Sequence, residues 1–441
     1  MVQTRIQRLV DRAFRNNTYS PAELKEIFDQ IASFSSTLQD ELDKEKIKAD
    51  VFHGGSSAKG TFLKGKFDVD LFVRFDLDKY AKFSSALSDI LHLAVERATS
   101  NRFERVHGSR DYFQYRLSWK YPINFEIVPV LKVTGSSQAR NVTDCSPLHV
   151  LWLKSKFAED KDIVKESVAM KLFLKAIGCY GAESYIKGFS GHVVDILISH
   201  YGSFEALVKA SPEWENHHVI DVEHHFRDKD HVLKSLNESK ISPLIVIDPI
   251  QPDRNAAAAL SKKKFDLFKD KAREFTSHPS YSFFVQPRFS LARLKRDDVP
   301  HCEKIILRIT PKKAKKDVVG SKIMKFYNLL LSRLKKNGFD IFDSGWAWPS
   351  SNAYVWIYIT KNSISYIKKN PEIIRSGPPK DKSADIERFK KKHHSLFWHD
   401  GKIYARVARK HTDYMQIIHK TIKEEKHKYD IEKGTLIPRS A

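Results

Sequence analysis

Residues 53–74 read HGGSSAKGTFLKGKFDVDLFVR, a glycine-rich turn running straight into a carboxylate-bearing strand. Gly54, Gly55 and Gly60 let the backbone turn tightly and bring N–H groups close to a phosphate. Ser56 and Ser57 add hydroxyl donors, and Lys59 in the same turn joins the candidate nucleotide-binding residues. In the strand that follows, Val69, Leu71, Val73 and Phe75 alternate on one face. Asp68 and Asp70 therefore project together from the other face. Two parallel carboxylates are costly side by side unless a cation joins them. A hard divalent ion that also holds triphosphate oxygens, Mg²⁺, is the natural partner. Gly55 to Gly60 has the glycine spacing of a P-loop, but that motif requires Lys and then Ser or Thr after the second glycine, and Thr61 follows directly. The loop also opens onto a strand rather than a phosphate-capping helix, which argues against a P-loop ATPase.

A metal pair needs a third carboxylate from elsewhere in the chain. Glu126 is the candidate, in the alternating strand Ile123–Val130, which is expected to pair beside the first carboxylate strand. A helix is expected from Pro21, where Ser20 and Glu23 fit a capping box and Leu24, Ile27, Phe28, Ile31, Phe34, Leu38 and Leu42 repeat at helical spacing. Strands are expected at Val51–His53, Phe67–Phe75, Tyr112–Trp119 and Ile123–Val133, with a helix over roughly 79–99 between them. Residues 147–275 read as mostly helical, with Lys165–Ile177, Lys187–His200 and Arg254–Phe275 the clearest pieces. From Thr276 strands return, at Ile305–Ile309 and Tyr354–Tyr358, around a helix at Gly320–Lys336. A charged, proline-bearing segment, Arg375–Ser383, precedes a last helix and hairpin. The expected fold class is α+β: a palm-like head with a mixed or antiparallel sheet (1–146), a helical neck (147–275), and an α+β body and tail (276–441, the tail roughly 320–375).

The chain has 441 residues, enough for several domains with real cores. Lys plus Arg is 76 against 54 Asp plus Glu, a net +22, which points to a polyanionic partner. Residues 361–441 hold 20 basic and 10 acidic residues, nearly half of that excess. Lys390, Arg406, Arg409 and Lys410 are the candidate RNA-binding residues there, with Lys402, Tyr404, Arg406 and Ala408 expected on one strand face. No apolar run is long enough to cross a bilayer, so no membrane association is expected. The first residues alternate basic and apolar positions and lack a signal peptide's apolar core, so the expected compartment is the cytoplasm. The three cysteines, Cys145, Cys179 and Cys302, lie too far apart for a disulfide scaffold or a cysteine-rich zinc site.

Gly55-Ser56, eleven residues, then Asp68-Val-Asp-Leu71 resembles the signature of the polymerase-beta-like nucleotidyltransferases. The order of Ser146-Pro-Leu-His149, Lys171, Tyr180-Gly-Ala-Glu183, Gly188-Phe-Ser-Gly191, Tyr201-Gly-Ser-Phe204 and Asp248-Pro-Ile-Gln-Pro-Asp-Arg-Asn255 resembles that of the archaeal-type (class I) CCA-adding enzymes, as do Gly377-Pro-Pro379 and the run Gly401–Lys410. The resemblance implies addition of C, C and A to the 3′ end of tRNA from CTP and ATP, with Mg²⁺ as cofactor and a homodimer as a further expectation. It implies that Gly55 and Ser56 hold the triphosphate, and that Asp68, Asp70 and Glu126 bind the metals and carry catalysis. Ser146 and His149 would contact the nucleotide, Lys171 and Tyr180 would grip the triphosphate, and Arg254, with Asn255 beside it, would help read the base. Two departures stand against the family pattern: Glu126 where an aspartate is usual, and Cys145 where an arginine is usual. Other template-independent polymerases, such as poly(A)- or oligoadenylate-making enzymes, share the first motif. A nucleic-acid-binding protein with a dead catalytic domain is the non-enzymatic alternative, and the complete acidic set argues against it.

Overall fold

The structure, a computed structural model, describes residues 3–65, 67–160 and 162–438. The chain forms two compact units, Met1–Pro287 and Arg288–Ala441. In the first, strands β1 (Ala49–His53), β2 (Phe67–Phe75), β3 (Glu104–Val106), β4 (Tyr112–Leu117) and β5 (Ile123–Leu131) form one sheet in the order β1-β2-β5-β4-β3. The β2–β5 pair is parallel and the others are antiparallel, so the sheet is mixed. Val69, Leu71, Val73 and Phe75 are fully buried on one face of β2, as are Ile123, Phe125 and Ile127 on β5. That face packs on the helix Pro21–Lys44 through Ile27, Ile31, Phe34, Leu38 and Leu42. The helix starts where expected because its capping box forms: Glu23 N donates to Ser20 Oγ, and Ser20 N donates to the Glu23 carboxylate. The helix expected over roughly 79–99 is broken into Leu77–Tyr80, a 3₁₀ turn Ala81–Ala86 and Leu87–Ala98, because Phe83 takes non-helical backbone angles.

The rest of this unit is helical, built on Arg5–Asn17, Ser146–Glu159, Ile163–Ala176, Gly191–Tyr201 and Lys262–Ser277, beside the short parallel pair β6 (His218–Ile220) and β7 (Leu244–Val246). Two helices begin later than the hydrophobic spacing predicts. The one expected from Lys187 starts at Gly191, where the Ser190 hydroxyl accepts from Val193 N. The one expected from Arg254 starts at Lys262, capped by Ser261, whose hydroxyl accepts from Lys264 N. The alanine-rich run before it is held in turns, with Ala256 N donating to Val246 O. The unit also extends past the expected boundary at 275, because Phe283 and Phe284 pack against Phe173 and Phe275.

In the second unit, β8 (Cys302–Pro311), β9 (Ile341–Ala347), β10 (Ala353–Thr360), β11 (Glu372–Pro379), β12 (Ser395–His399), β13 (Lys402–Ala408) and β14 (Ile431–Leu436) form two sheets, β14-β8-β10-β9 and β11-β13-β12. The helices Lys316–Lys336 and Tyr414–Glu425 cover the first sheet with Ile323, Phe326, Leu330, Ile417 and Ile418. Residues 320–375 supply β9 and β10 to a sheet whose other strands lie on either side of them in sequence. The proline-bearing segment expected as a separator is in part the edge strand β11, whose register shifts between Ser376 and Pro379. No helix among the described residues is long and apolar enough to cross a membrane.

One buried ion pair fixes how the sheet hands over to the helices. Asp144 is 1% exposed, and its Oδ1 accepts from Arg110 NH1 (2.6 Å) and Leu131 N (2.9 Å), while its Oδ2 accepts from the backbone of Arg140 and Asn141. Arg110 also donates to Pro129 O and to Ser84. Together they lock the end of β5 against the turn that starts the helix carrying Ser146 and His149. Removing one partner of such a pair strands a buried charge. Asp144→Asn is expected to lower the stability of the first unit by about 3–5 kcal/mol, read as a shift in its urea midpoint at unchanged slope.

Candidate active site

The parallel register sets Asp70 abreast of Glu126, and Asp68 abreast of Asn124, on the face of β2 and β5 opposite the core. Asp68 Oδ1 accepts from Asn124 Nδ2 (3.1 Å), and Glu126 Oε1 accepts from Gln114 Nε2 on β4 (2.9 Å). The Gly54–Gly55 turn closes directly over this face, and Gly54 N donates to Asp70 O (2.8 Å). A Cβ on Gly54 would lie 2.3 Å from the Phe72 ring. One on Gly55, at φ +65°, would lie 1.7 Å from Asp70 Oδ2. Both positions therefore require glycine. The short helix Gly55–Ala58 then presents Ser56, while Ser57 is turned inward, donating to Gly54 O and meeting His53 Nε2 at 2.8 Å.

Burial, with the Glu126 and Asp68 charges beside it, raises the Asp70 carboxyl to about 6. Burial is the larger cause and the neighbouring carboxylates add to it, while Asp68 itself stays exposed. Three carboxylates and no sulfur or imidazole form a hard, oxygen-only donor set, which fits a hard divalent cation. The expected trio shares one face of the sheet, with Asp70 and Glu126 abreast on neighbouring strands and Asp68 two residues along β2.

Behind the turn lies a second charged cluster. Lys59 Nζ donates to Asp195 Oδ2 (2.5 Å), and Lys171 Nζ lies 3.1 Å from Asp195 Oδ1. Asp195 is wholly buried in the helix Gly191–Tyr201. Lys171 is 2% exposed and also donates to Thr61 Oγ1 (2.7 Å) and Thr61 O (3.2 Å). Burial lowers its pKa to about 8, with Asp195 acting in the other direction. A Cβ on Gly191 would lie 3.0 Å from the Tyr180 hydroxyl and 3.8 Å from Lys171 Cε, so Tyr180 borders this cluster. Lys171 itself is already enclosed by protein oxygens; Lys59, on the turn, is the more accessible of the two cations.

A third group centres on Asp248, also fully buried. His149 Nε2 meets its Oδ1 at 2.8 Å, and His192 Nε2 and Arg254 NH1 meet its Oδ2 at 3.2 and 3.0 Å. Ile250 N and Gln251 N donate to Oδ1 as well. Burial works to raise this carboxyl, but the hydrogen bonds and charges of His149 and His192 outweigh it and hold it well below the usual carboxylate range. The two imidazole rings are 4.4 Å apart. Arg254 keeps 46% of its side chain exposed, so it can donate to a ligand while anchored on Asp248. Asn255, expected at the nucleotide, is instead 3% exposed: its Oδ1 accepts from Val246 N and Ala257 N, and its Nδ2 donates to Lys240 O and Ser242 Oγ. That amide is fully engaged in shaping the turn that carries Arg254. Ser146 opens its helix, and Cys145, not Ser146, occupies the cap position. Burial pushes the Cys145 thiol up to about 11, as suits a packed thiol rather than a nucleophile.

In the second unit, β13 alternates as expected: Ile403 and Ala405 are buried, and Lys402 and Arg406 are exposed. Arg406 lies over the Phe397 ring, which stacks on Tyr404. Lys390 and Lys410 are exposed, Lys390 in an ion pair with Glu387. Arg409 differs from expectation. Its guanidinium donates to Asn370 O and Asn337 O, both at 2.9 Å, so it ties β13 to the end of the helix Lys316–Lys336.

Asp195, His192 and Thr61 were not among the expected site residues. Asp195 had a legible signal, an acid inside the apolar run Val193–Ile198, where a buried carboxylate demands a cationic partner. His192 and Thr61 carried no such signal.

Sequence models of three families match in series: "Nucleotidyltransferase domain" over residues 35–149, "tRNA nucleotidyltransferase, second domain" over 165–285 and "CCA-adding enzyme, C-terminal domain" over 305–432. The chain is 31% identical over 367 residues to the CCA-adding enzyme of Nanoarchaeum equitans, spanning 83% of this chain and 85% of that protein. It is 30% identical over 378 residues to that of Methanocaldococcus jannaschii, spanning 82% and 78%. To that of Saccharolobus shibatae it is 29% identical over 401 residues, spanning 89% and 88%. At this identity, sustained over most of its length, the chain belongs to the CCA-adding enzymes, a family of tRNA nucleotidyltransferases.

Proposed function

We propose that this protein adds C, C and A to the 3′ end of tRNA, taking nucleotides from CTP and ATP and releasing pyrophosphate at each step. The observation that carries this reading is the face formed by Asp68, Asp70 and Glu126 beneath a glycine turn that closes on Asp70 itself. In each cycle the primer 3′-hydroxyl oxygen attacks the α-phosphorus, its proton leaves, and the bond to the bridging oxygen of the β-phosphate breaks. Asp68, Asp70 and Glu126 would hold Mg²⁺. When bound, it lowers the charge on the triphosphate and makes the 3′-hydroxyl easier to deprotonate. Gly55 and Ser56 offer the triphosphate a backbone N–H and a hydroxyl. Lys59, with Lys171 behind it, supplies positive charge, and Tyr180 closes that side. His149, its Nε2 oriented by Asp248, faces the nucleotide with Ser146, and Arg254 offers fixed donors to the base. Positioning and charge neutralisation thus do most of the catalysis.

Lys390, Arg406 and Lys410 follow the tRNA backbone in this reading, and Arg409 maintains the surface that carries Arg406 and Lys410. The acceptor arm is A-form, so its phosphates and 2′-hydroxyls are what such a surface can reach. A homodimer and a cytoplasmic location complete the proposal.

The direct test offers tRNA lacking its 3′ terminus with each nucleotide in turn, and with mixtures, and sequences the products. CTP alone is expected to add two residues, and CTP with ATP to complete CCA and stop. Long runs of A from ATP alone would move the assignment to a poly(A)-type polymerase. Asp70→Asn is expected to slow turnover about a thousandfold or more, because metal stabilisation is worth several kcal/mol and each tenfold about 1.4 kcal/mol. Filter binding of tRNA should stay close to the parent. Arg406→Gln with Lys410→Gln is expected to flatten the log–log salt dependence of tRNA affinity by about one or two units. Arg409→Met is expected instead to lower thermal stability, leaving that slope near the parent value; a loss of slope in the single variant would return Arg409 to the RNA surface.

A further inference from the structure

Asp195 is the one acidic side chain in the apolar run Val193–Ile198, and it has no exposure to solvent. A carboxylate in such a place is tolerated only when paired and hydrogen-bonded. Its two oxygens are shared between two lysines from distant parts of the chain: Oδ2 to Lys59, on the glycine turn, and Oδ1 to Lys171, on the helix Ile163–Ala176. Lys171 goes on to hold both the hydroxyl and the carbonyl of Thr61, directly after Gly60. Within this cluster one anion therefore serves two ammonium groups, and Lys59 also acts on the Asp70 carboxylate across the turn.

We infer that Asp195 is a positioning residue for the triphosphate: it holds Lys59 and Lys171 side by side behind the turn, so that their charge is complemented by the β- and γ-phosphates of an incoming nucleotide. This rests on the nucleotidyl-transfer reading of the site. A single lysine on a mobile stem loses rotamer freedom when it meets a phosphate. A lysine already fixed on Asp195 has lost that freedom beforehand. Asp195 touches no substrate in this scheme and acts only through the two lysines. Its effect should therefore follow the phosphates of the ligand and not the base.

The test measures affinity for CTP and for CMP separately, by calorimetry with Ca²⁺ in place of Mg²⁺ and without tRNA. Asp195→Asn is expected to weaken CTP at least tenfold and CMP less than twofold, and Asp195→Glu to bring CTP back within about threefold of the parent. In a Lys59→Gln background, the further change to Asn is expected to cost CTP less than threefold, because the partner that Asp195 positions is gone. Circular dichroism checks folding. If Asp195→Asn does not fold, Asp195→Ser, which leaves room for water beside both lysines, is read by the same CTP–CMP difference. Equal losses for CTP and CMP, or an unchanged CTP affinity in a folded Asn variant, would overturn the inference. A parent protein that binds neither nucleotide would instead remove the functional reading on which the inference stands.

Discussion

The parallel pairing of β2 with β5 is the constraint on which the first unit depends. It puts Asp70 directly beside Glu126 and Asp68 one pleat away, all facing away from a core that is wholly apolar on the other side. Burial of Asp70, with the like charges of Glu126 and Asp68 beside it, opposes its ionisation, and its carboxyl moves up to about 6. The apolar face outweighs this cost: Val69, Leu71, Val73, Phe125 and Ile127 are completely buried against the helix Pro21–Lys44. The sheet thus stores an electrostatic demand that a divalent cation can meet, and the glycine turn brings backbone donors to the same spot.

Around that face, buried aspartates act as hubs, each with a different cation chemistry. Asp144 takes an arginine and three backbone N–H groups, and its role is architectural. Asp195 takes two lysines. Asp248 takes two imidazoles and a half-exposed arginine, orienting ring nitrogens and a guanidinium. The contrast follows from partner type. Arginine gives a rigid, permanently charged fork, lysine a mobile point charge, and histidine a directional ring nitrogen.

Period-two and helical patterning made the carboxylate strands, the capped helix at Pro21 and the exposed face of β13 legible, because each buries one face against a neighbour and leaves the other free. What could not be read are features set by long-range hydrogen bonds. The alanines after Asn255 have high helix propensity, yet the Asn255 amide bonds four groups and keeps them in turns until Ser261 caps the next helix. Arg409 lies in a basic stretch like its neighbours, but two backbone carbonyls take up its guanidinium. The resemblance assigns Lys171 to the triphosphate, and only the tertiary fold shows it enclosed between Thr61 and Asp195. The boundary expected at 275 missed Phe283 and Phe284, whose reach back into the helical core no local pattern announces.

The central claim is that the face of β2 and β5 is built to hold divalent metal together with a nucleotide. Mn²⁺ binding, followed by electron paramagnetic resonance with a non-hydrolysable CTP analogue, tests it most directly. The parent should bind about two Mn²⁺ per chain, the number a two-metal nucleotidyl transfer uses. The Asp68→Asn, Asp70→Asn double variant should bind neither in the same concentration range. Equal Mn²⁺ binding by the two proteins would contradict the account.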